Sequence, residues 1–307
     1  MPIEDINAAA LALRAAAQHV DILPHVPPKL RRRIAPYYGY IEVQIADCKP
    51  FYMLSNNDDY VAERFFWDGP DAYEPTSLRL WTGLSRVSPV VLDVGAYTGL
   101  FALAAAVANH RTKVLAFEPL DRVYFRLLTN KHVNQLGNLQ AFNMAVAEVA
   151  GERELSVYSG ESVLVTGSTL QAESKARASV ESKTVRTTTI DEQVGERVGV
   201  NLIKADVEGA EHLVLQGGLG AIEAHRPDIL CEVLPEAESL GVMTEQMAAL
   251  GYRFLRILEE ARSVEEIARI EPAAGDAGRN VLLTTRSVPS IESVLAGAAP
   301  HERSERR

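Results

Sequence analysis

From residue 88 onward, continuous apolar runs alternate with amphipathic stretches. "PVVLDVG" (89–95) is apolar throughout and of strand length, the pattern of a strand buried on both faces. "GLFALAAAVANH" (99–110) reads as a helix, and "KVLAFEP" (113–119) as a strand closed by Pro119. "DRVYFRLLTNKHVNQLG" (121–137) is an amphipathic helix that stops at Gly137. "LQAFNMAV" (139–146) is a third strand, and "ERELSVYS" (152–159) alternates like an exposed one. Then come strand "VNLIKADV" (200–207), helix "GAEHLVLQGG" (209–218) and strand "DILCEV" (228–233). Helix "EAESLGVMTEQMAALG" (236–251) and strands "YRFLRI" (252–257) and "NVLLTT" (280–285) complete the series. Strands alternating with helices predict an α/β fold, with a mainly parallel sheet covered on both faces.

The first 85 residues lack this rhythm. Residues 4–20 are alanine-rich and favour a helix, with Asp5 or Asn7 as its cap. Pro24, Pro27 and Pro28 stop it. "YYGYIEVQI" (37–45) and "KPFYMLS" (49–55) predict a hairpin, and residues 60–85 predict helical pieces interrupted by "WDGPDAYEP". The chain thus divides into a helical and hairpin extension or cap (1–85), a main domain (86–290) and a disordered tail (291–307). The Ser-rich stretch 159–183 is expected to be a long loop and a candidate substrate lid. There is no internal repeat.

With 47% hydrophobic and 23% charged residues, the 307-residue chain has the composition of a globular protein. Its formal charge of −10 disfavours a nucleic-acid partner, which needs clustered Lys and Arg. Two cysteines, Cys48 and Cys231, are too few for a disulfide framework. No run approaches the roughly 18 apolar residues of a membrane span. The N-terminus lacks the basic and apolar regions of a secretory signal, so a cytoplasmic location is expected.

The chemistry concentrates at strand ends, where parallel sheets bind ligands. Asp93 and Gly95 end the first strand, and Gly99 opens the next helix. Glycine there permits positive φ and close backbone approach. Glu118 ends the next strand, where an acid can accept hydrogen bonds from both hydroxyls of a ribose. A dinucleotide fits poorly: Tyr97 replaces the middle glycine of G-x-G-x-x-G, and Asp93 suits an ammonium group better than a phosphate. "LIKADVEGAEHLVLQGG" (202–218) forms a second strand–turn–helix unit. Lys204 and Asp206 point the same way from its strand, beside the first turn. Glu208, Glu211 and His212 are spaced to share a helix face. A metal site from Asp206, Glu208 and His212 lacks a known ligand spacing, so no metal is expected. Trp67, Tyr73 and Trp81 are either acceptor-pocket residues or core.

"VLDVGAYTG", "FEP", "NMAVAE", "GSTL", "IKADVEGAE", "ILCEV" and "NVLL" occur in an order that resembles the FkbM family of S-adenosylmethionine-dependent methyltransferases, over roughly residues 73–285. The resemblance implies a class I methyltransferase fold: a Rossmann-like, doubly wound sheet of order 3-2-1-4-5-7-6 with the last strand antiparallel. It implies S-adenosylmethionine as cofactor and methyl transfer to a hydroxyl of a small molecule such as a sugar or polyketide. Asp93, Gly95, Gly99 and Glu118 match the family's cofactor positions. Asn143 falls near the adenine, Glu74 matches an acid upstream of the first strand, and both are expected, with Tyr97, to contact the cofactor. Tyr97 departs from the family's usual Asn, where it could stack on the ligand or close the pocket.

An alcohol acceptor must lose a proton, so Asp206 is expected to orient or deprotonate it. Lys204 would stabilise the oxygen or pair with Asp206, Glu208 stands behind them, and His212 and His225 are further candidate bases. N-methylation, a non-catalytic relative of the fold and a nucleotide-cofactor oxidoreductase remain open alternatives. A homo-oligomer is compatible with the N-terminal helix.

Overall fold

The computed structural model describes residues 1–20, 26–45, 47–158, 164, 168–169, 179–195, 199–235, 239–273 and 278–298. Helices α1 (Ile3–His19) and α2 (Pro28–Ile34) precede a hairpin of β1 (Tyr38–Val43) and β2 (Phe51–Asn56). Helices α3 (Tyr60–Asp68) and α4 (Pro75–Ser85) follow. The regular alternation begins with β3 (Val90–Val94), α5 (Leu100–Ala108), β4 (Lys113–Phe117), α6 (Asp121–Val133) and β5 (Leu139–Phe142). Then come β6 (Ala145–Val146), β7 (Gly151–Tyr158), β8 (Ser168–Thr169), β9 (Ser179–Thr188) and α7 (Ile190–Val194). The last part holds β10 (Leu202–Ala205), α8 (Glu211–Gln216), α9 (Leu219–His225), β11 (Asp228–Glu232) and α10 (Leu240–Ala249). It closes with β12 (Arg253–Leu258), β13 (Ser263–Ile267), β14 (Asn280–Thr284) and α11 (Val288–Leu295).

The apolar runs assemble into an eight-stranded sheet ordered β13-β12-β14-β11-β10-β3-β4-β5. From β11 through β5 all neighbours are parallel. Strand β14 runs antiparallel to both β11 and β12, and β13 pairs antiparallel with β12 at the edge. This is the expected α/β, Rossmann-like class. Edge strand β13 was not foreseen, because "SVEEI" is mostly polar.

Side-chain alternation divides each strand between two cores. Val91, Leu202, Leu230 and Leu282 pack in one core with residues of α4, α5 and the hairpin. Leu92, Ile203, Ile229 and Leu283 pack in the other with residues of α8, α9 and α10. Asp93, Lys204, Glu232 and Asn280 are in phase with the first set. The polar ends of four adjacent strands therefore share the face that α4 covers.

Helix α4 belongs to that core rather than to a detached cap. Trp81 Nε1 donates to the Phe101 carbonyl at 2.8 Å, and the two rings meet edge-on at 5.8 Å. Trp81 and Trp67 are buried in that core. Glu74, at the N-cap of α4, makes no side-chain cap bond. Glu259, just past β12, takes that role and accepts from the amides of Thr76 (2.7 Å) and Ser77 (3.2 Å) and from the Ser77 hydroxyl. A carboxylate there satisfies orphan amides and complements the helix dipole.

Several expectations change. Neither Asp5 nor Asn7 caps α1, whose N-cap is Pro2. Asn7 instead brackets Tyr38, accepting from its amide at 2.9 Å and donating to its carbonyl at 2.6 Å. Much of the expected 159–183 loop (159–163, 165–167 and 170–178) lies outside the described residues. Its end is strand: β9 pairs antiparallel with β7, and β6 and β8 complete a four-stranded sheet. The β-branched positions of "SVESKTVRTT" explain the strand. The tail expected to be disordered from 291 is helical through Leu295. Ser287 caps α11 by accepting from the Ser290 amide, and Ile291 and Val294 are buried. Residues 299–307 lie outside the described residues.

Candidate active site

The turn after β3 is lashed to β4: the amides of Gly95 and Ala96 both donate to the Phe117 carbonyl, at 3.1 and 3.0 Å. Gly95 has φ +79°, and a Cβ there would stand 1.8 Å from the Asp206 carbonyl oxygen. Only glycine lets the β3 and β10 turns approach so closely. Gly99 has φ +102°, and a Cβ would stand 2.3 Å from Leu127 Cδ1. Between them Tyr97 is held at φ +49°. Its amide donates to Glu118 Oε2 at 3.1 Å, while the Leu120 amide donates to Oε1 at 2.8 Å. Glu118 thus clamps an unfavourable backbone and keeps further lone pairs for a ligand. Burial pushes its pKa up to about 8 against these two amides.

Tyr97 turns aside. Its hydroxyl donates to the Leu164 carbonyl at 3.2 Å, and its ring packs against a cluster that includes Leu120, Val123 and Leu155. Asn143 Nδ2 donates to the carbonyls of Glu118 (3.1 Å) and Pro119 (3.0 Å), which leaves its oxygen as the end available to a ligand.

Asp93 is fully buried, and no side chain among the described residues satisfies its carboxylate oxygens, although the Ala102 backbone lies close enough to stabilise the charge. Burial raises its pKa to about 6, opposed by the charge of Lys204. A buried carboxylate beside a glycine turn suits a cationic ligand group.

A second group gathers at the ends of β10, β11 and β14. Lys204 pairs in register with Asp93, and its Nζ lies 2.5 Å from Asp206 Oδ2 and 4.5 Å from the centre of the Phe101 ring. Its side chain is 5% exposed and that of Asp206 29%, so a ligand meets the carboxylate rather than the ammonium. Burial lowers the Lys204 pKa, but Asp206, Asp93 and Glu74 outweigh it and hold lysine above its ordinary value. Burial likewise raises Asp206, and the Lys204 charge outweighs it and keeps the carboxyl below its ordinary value.

Glu232 stands one strand over. Ala205 pairs with Cys231, so the next residues along, Asp206 and Glu232, face each other at the strand ends. Burial and the Asp206 charge push Glu232 well above the ordinary carboxyl range, and a hydrogen bond joins the two carboxyls. Asn280, opposite Glu232 on β14, donates to Glu74 Oε2 at 2.9 Å and to Ser77 Oγ at 3.0 Å. Glu74 therefore joins Lys204 and Asp206 rather than Glu118. Burial and Asp206 raise it to about 7, against Lys204. Tyr73 lies beside it, its phenol raised mainly by the Glu74 charge.

Glu208, Glu211 and His212 do not share a helix face. Helix α8 begins at Glu211, and Glu208 sits in the preceding turn with φ +55°. Glu211 is buried and accepts from the amides of Val207 (3.0 Å) and Gly209 (3.1 Å), a structural role in that turn. His225 ends α9 and lies against Gly199, at the opposite end of the sheet from the site. Among the described residues no group of three or more His, Cys, Asp or Glu is placed to hold a metal ion. The sequence reading missed Glu232 and Asn280. An acid closing the apolar run "DILCE" carried the same signal as Asp206.

Across this turn and the strand that leads to it, the chain matches the methyltransferase FkbM domain over residues 93–254. It belongs to the FkbM methyltransferase family. A methyltransferase of Sordaria araneosa, sdnD, is 30% identical over 159 residues, which are 42% of this chain and 60% of that protein. The chain thus spans about 60% of the length of the curated relative it matches. Among solved structures, the FkbM methyltransferase of Methylobacillus flagellatus is 14% identical, with a TM-score of 0.40 over 75% of this chain and 63% of that one. An O-methyltransferase of Bacillus cereus in complex with SAH is 10% identical, with a TM-score of 0.41 over 68% and 80%.

Family membership implies S-adenosylmethionine as methyl donor, and the residues present fit it. The buried Asp93 carboxylate, which no side chain among the described residues satisfies, suits its ammonium, Glu118 retains acceptor capacity for ribose hydroxyls, and Gly95 and Gly99 keep the turn open to close approach. No helix among the described residues is long and apolar enough to cross a membrane.

Proposed function

We propose that the chain is an S-adenosylmethionine-dependent methyltransferase acting on a hydroxyl of a small molecule. The observation that carries this reading is the pairing of Lys204 with Asp206 at 2.5 Å, next to the strand that bears Asp93. Bound S-adenosylmethionine supplies a methyl group on a sulfonium, an electrophile that needs an oriented nucleophile. Asp93, Gly95, Gly99, Glu118 and the Asn143 oxygen hold the donor. Asp206, ionised and reachable, orients the acceptor hydroxyl and receives its proton as the oxygen loses it. Because Lys204 holds Asp206 below the ordinary carboxyl range, Asp206 is a weak base and takes that proton late in the transfer. Glu208 lies at the rim and shapes the field at Glu232.

Two features favour a small acceptor over a nucleic acid. The chain carries a formal charge of −10, and Asp206, held ionised at the acceptor position, repels phosphates. The hydroxyl is favoured over an amine because a proton acceptor is already in place. The test measures SAH release from S-adenosylmethionine with panels of alcohols, amines and RNA. Turnover on alcohols supports the reading; turnover confined to amines or to RNA overturns it.

A further inference from the structure

The donor turn is also held from outside the sheet. Asn130, on α6, is fully buried. Its Nδ2 donates to the Thr98 carbonyl at 2.8 Å, and its Oδ1 accepts from the Leu54 amide at 2.7 Å. Leu54 belongs to β2, in the N-terminal hairpin. The neighbouring turns of α6 hold the same region. Arg126 donates to the Leu54 carbonyl at 2.8 Å and forks onto Asp58 at 3.0 and 2.9 Å. Asn134 accepts from the Tyr52 amide and donates to the Tyr52 carbonyl, each at 2.7 Å. Residues 126, 130 and 134 repeat every four positions and so lie along one helix face. Of the three, Asn130 continues through to the donor turn.

A second buried side chain of the N-terminal segment lies against the same residue. Asp59, fully buried at the N-cap of α3, accepts from the amides of Val61 (3.0 Å) and Ala62 (3.1 Å). Its carboxyl lies beside the Thr98 hydroxyl. The Thr98 carbonyl is thus tied to the N-terminal segment through Asn130, and its hydroxyl lies against that segment's Asp59. Thr98 sits between Tyr97 at φ +49° and Gly99 at φ +102°, where the backbone is least able to hold its own shape.

We propose that Asn130 is a positioning residue of the donor site: by tying the Thr98 carbonyl to β2, it fixes the turn and makes the hairpin part of what sets donor affinity. This rests on the donor site assigned above. Asn130 touches no ligand and acts through the turn.

Calorimetric titration with SAH on wild type, Asn130→Asp and Asn134→Asp tests it. Asn130→Asp keeps an oxygen for the Leu54 amide and, titrated at about pH 8.5 where a buried carboxyl gives up its proton, offers Thr98 no donor. Asn134→Asp makes the same exchange against the hairpin while leaving the turn untouched. One hydrogen bond lost at the turn weakens binding about tenfold. We expect that loss in Asn130→Asp, and a change below about threefold in Asn134→Asp. Equal weakening in both variants, or none in Asn130→Asp, overturns the proposal. Wild type that fails to bind SAH removes the donor site and this inference with it. If Asn130→Asp does not fold, Asn130→Ser takes its place, with amide hydrogen exchange at Tyr97–Gly99 as a second readout. Faster exchange there supports the proposal, and unchanged exchange overturns it.

Discussion

Asp206 and Glu232 end neighbouring parallel strands on one face of the sheet and have opposite protonation preferences. Lys204 holds Asp206 ionised, while burial and the Asp206 charge keep Glu232 protonated. Two carboxyls that share a site divide their roles in this way, because both cannot ionise cheaply. Asp206→Asn is expected to lower the turnover number by about 10²–10⁴ with SAH affinity unchanged. Glu232→Gln keeps a hydrogen-bond donor toward Asp206 and is expected to stay within about tenfold of wild type. Turnover assays on both variants decide it; equal losses would remove the division of roles.

Donor affinity should depend on Glu118 through the lone pairs it keeps beyond the Tyr97 and Leu120 amides. Glu118→Ala is expected to weaken SAH by about 10–100-fold, the loss of one or two hydrogen bonds to a buried carboxyl. Calorimetry reads this directly, and an unchanged Kd would move the ribose elsewhere.

Asp93 gives donor binding a pH dependence. Its pKa, lifted by burial to about 6, means it is protonated in acid and then cannot pair with an ammonium. S-adenosylmethionine affinity should rise as pH climbs through about 6, and Asp93→Asn should bind more weakly with that limb abolished. A limb that persists in the variant belongs to another group.

Ligand-free stability should change in the other direction. Glu74, Glu118 and Glu211 hold protons up to about 7, 8 and 7, against an ordinary 4.5, so the folded chain binds more protons than the unfolded one across that window. Stability therefore falls as pH rises from about 4.5 to 8 and is flat outside those limits for these groups. Melting curves between pH 5 and 8.5 without ligand check it; a melting temperature that rises across that range contradicts the burial of these carboxyls.

Gly95→Ala places a methyl group 1.8 Å from the Asp206 carbonyl oxygen in a left-handed backbone. Something must move, and both candidate site turns are there. The variant should lose about 2–4 kcal/mol of stability, together with donor affinity and turnover. Normal affinity in a folded Gly95→Ala chain would show that the two turns are looser than the contact implies.

Much of this was legible in the sequence, because strand period and strand-end polarity are local signals. The runs around Asp93, Glu118 and Lys204 fixed their own faces, and glycine spacing located the turn that meets the Asp206 carbonyl. Three things were not legible, because each depends on contacts between distant segments. Glu208 looked helical from its spacing to Glu211, yet the buried Glu211 carboxylate folds the preceding turn around itself. Glu74 is read from the resemblance as a cofactor contact, yet Asn280 and Lys204 hold it beside Asp206 instead of Glu118. Asn130 carries no signal of its own in the sequence, because its two partners, Leu54 in the hairpin and Thr98 in the turn after β3, are brought to it only by packing on α6.

The Glu259 carboxylate at the start of α4 bears on how new enzymes could be built from this one. A chimera joined between residues 85 and 86 would bring a foreign helix without its cap and would part Trp81 from Phe101. The first 85 residues are therefore not an exchangeable cassette. A graft meant to change acceptor preference has to carry α4 together with the end of β12, so that the helix arrives with the carboxylate that holds it.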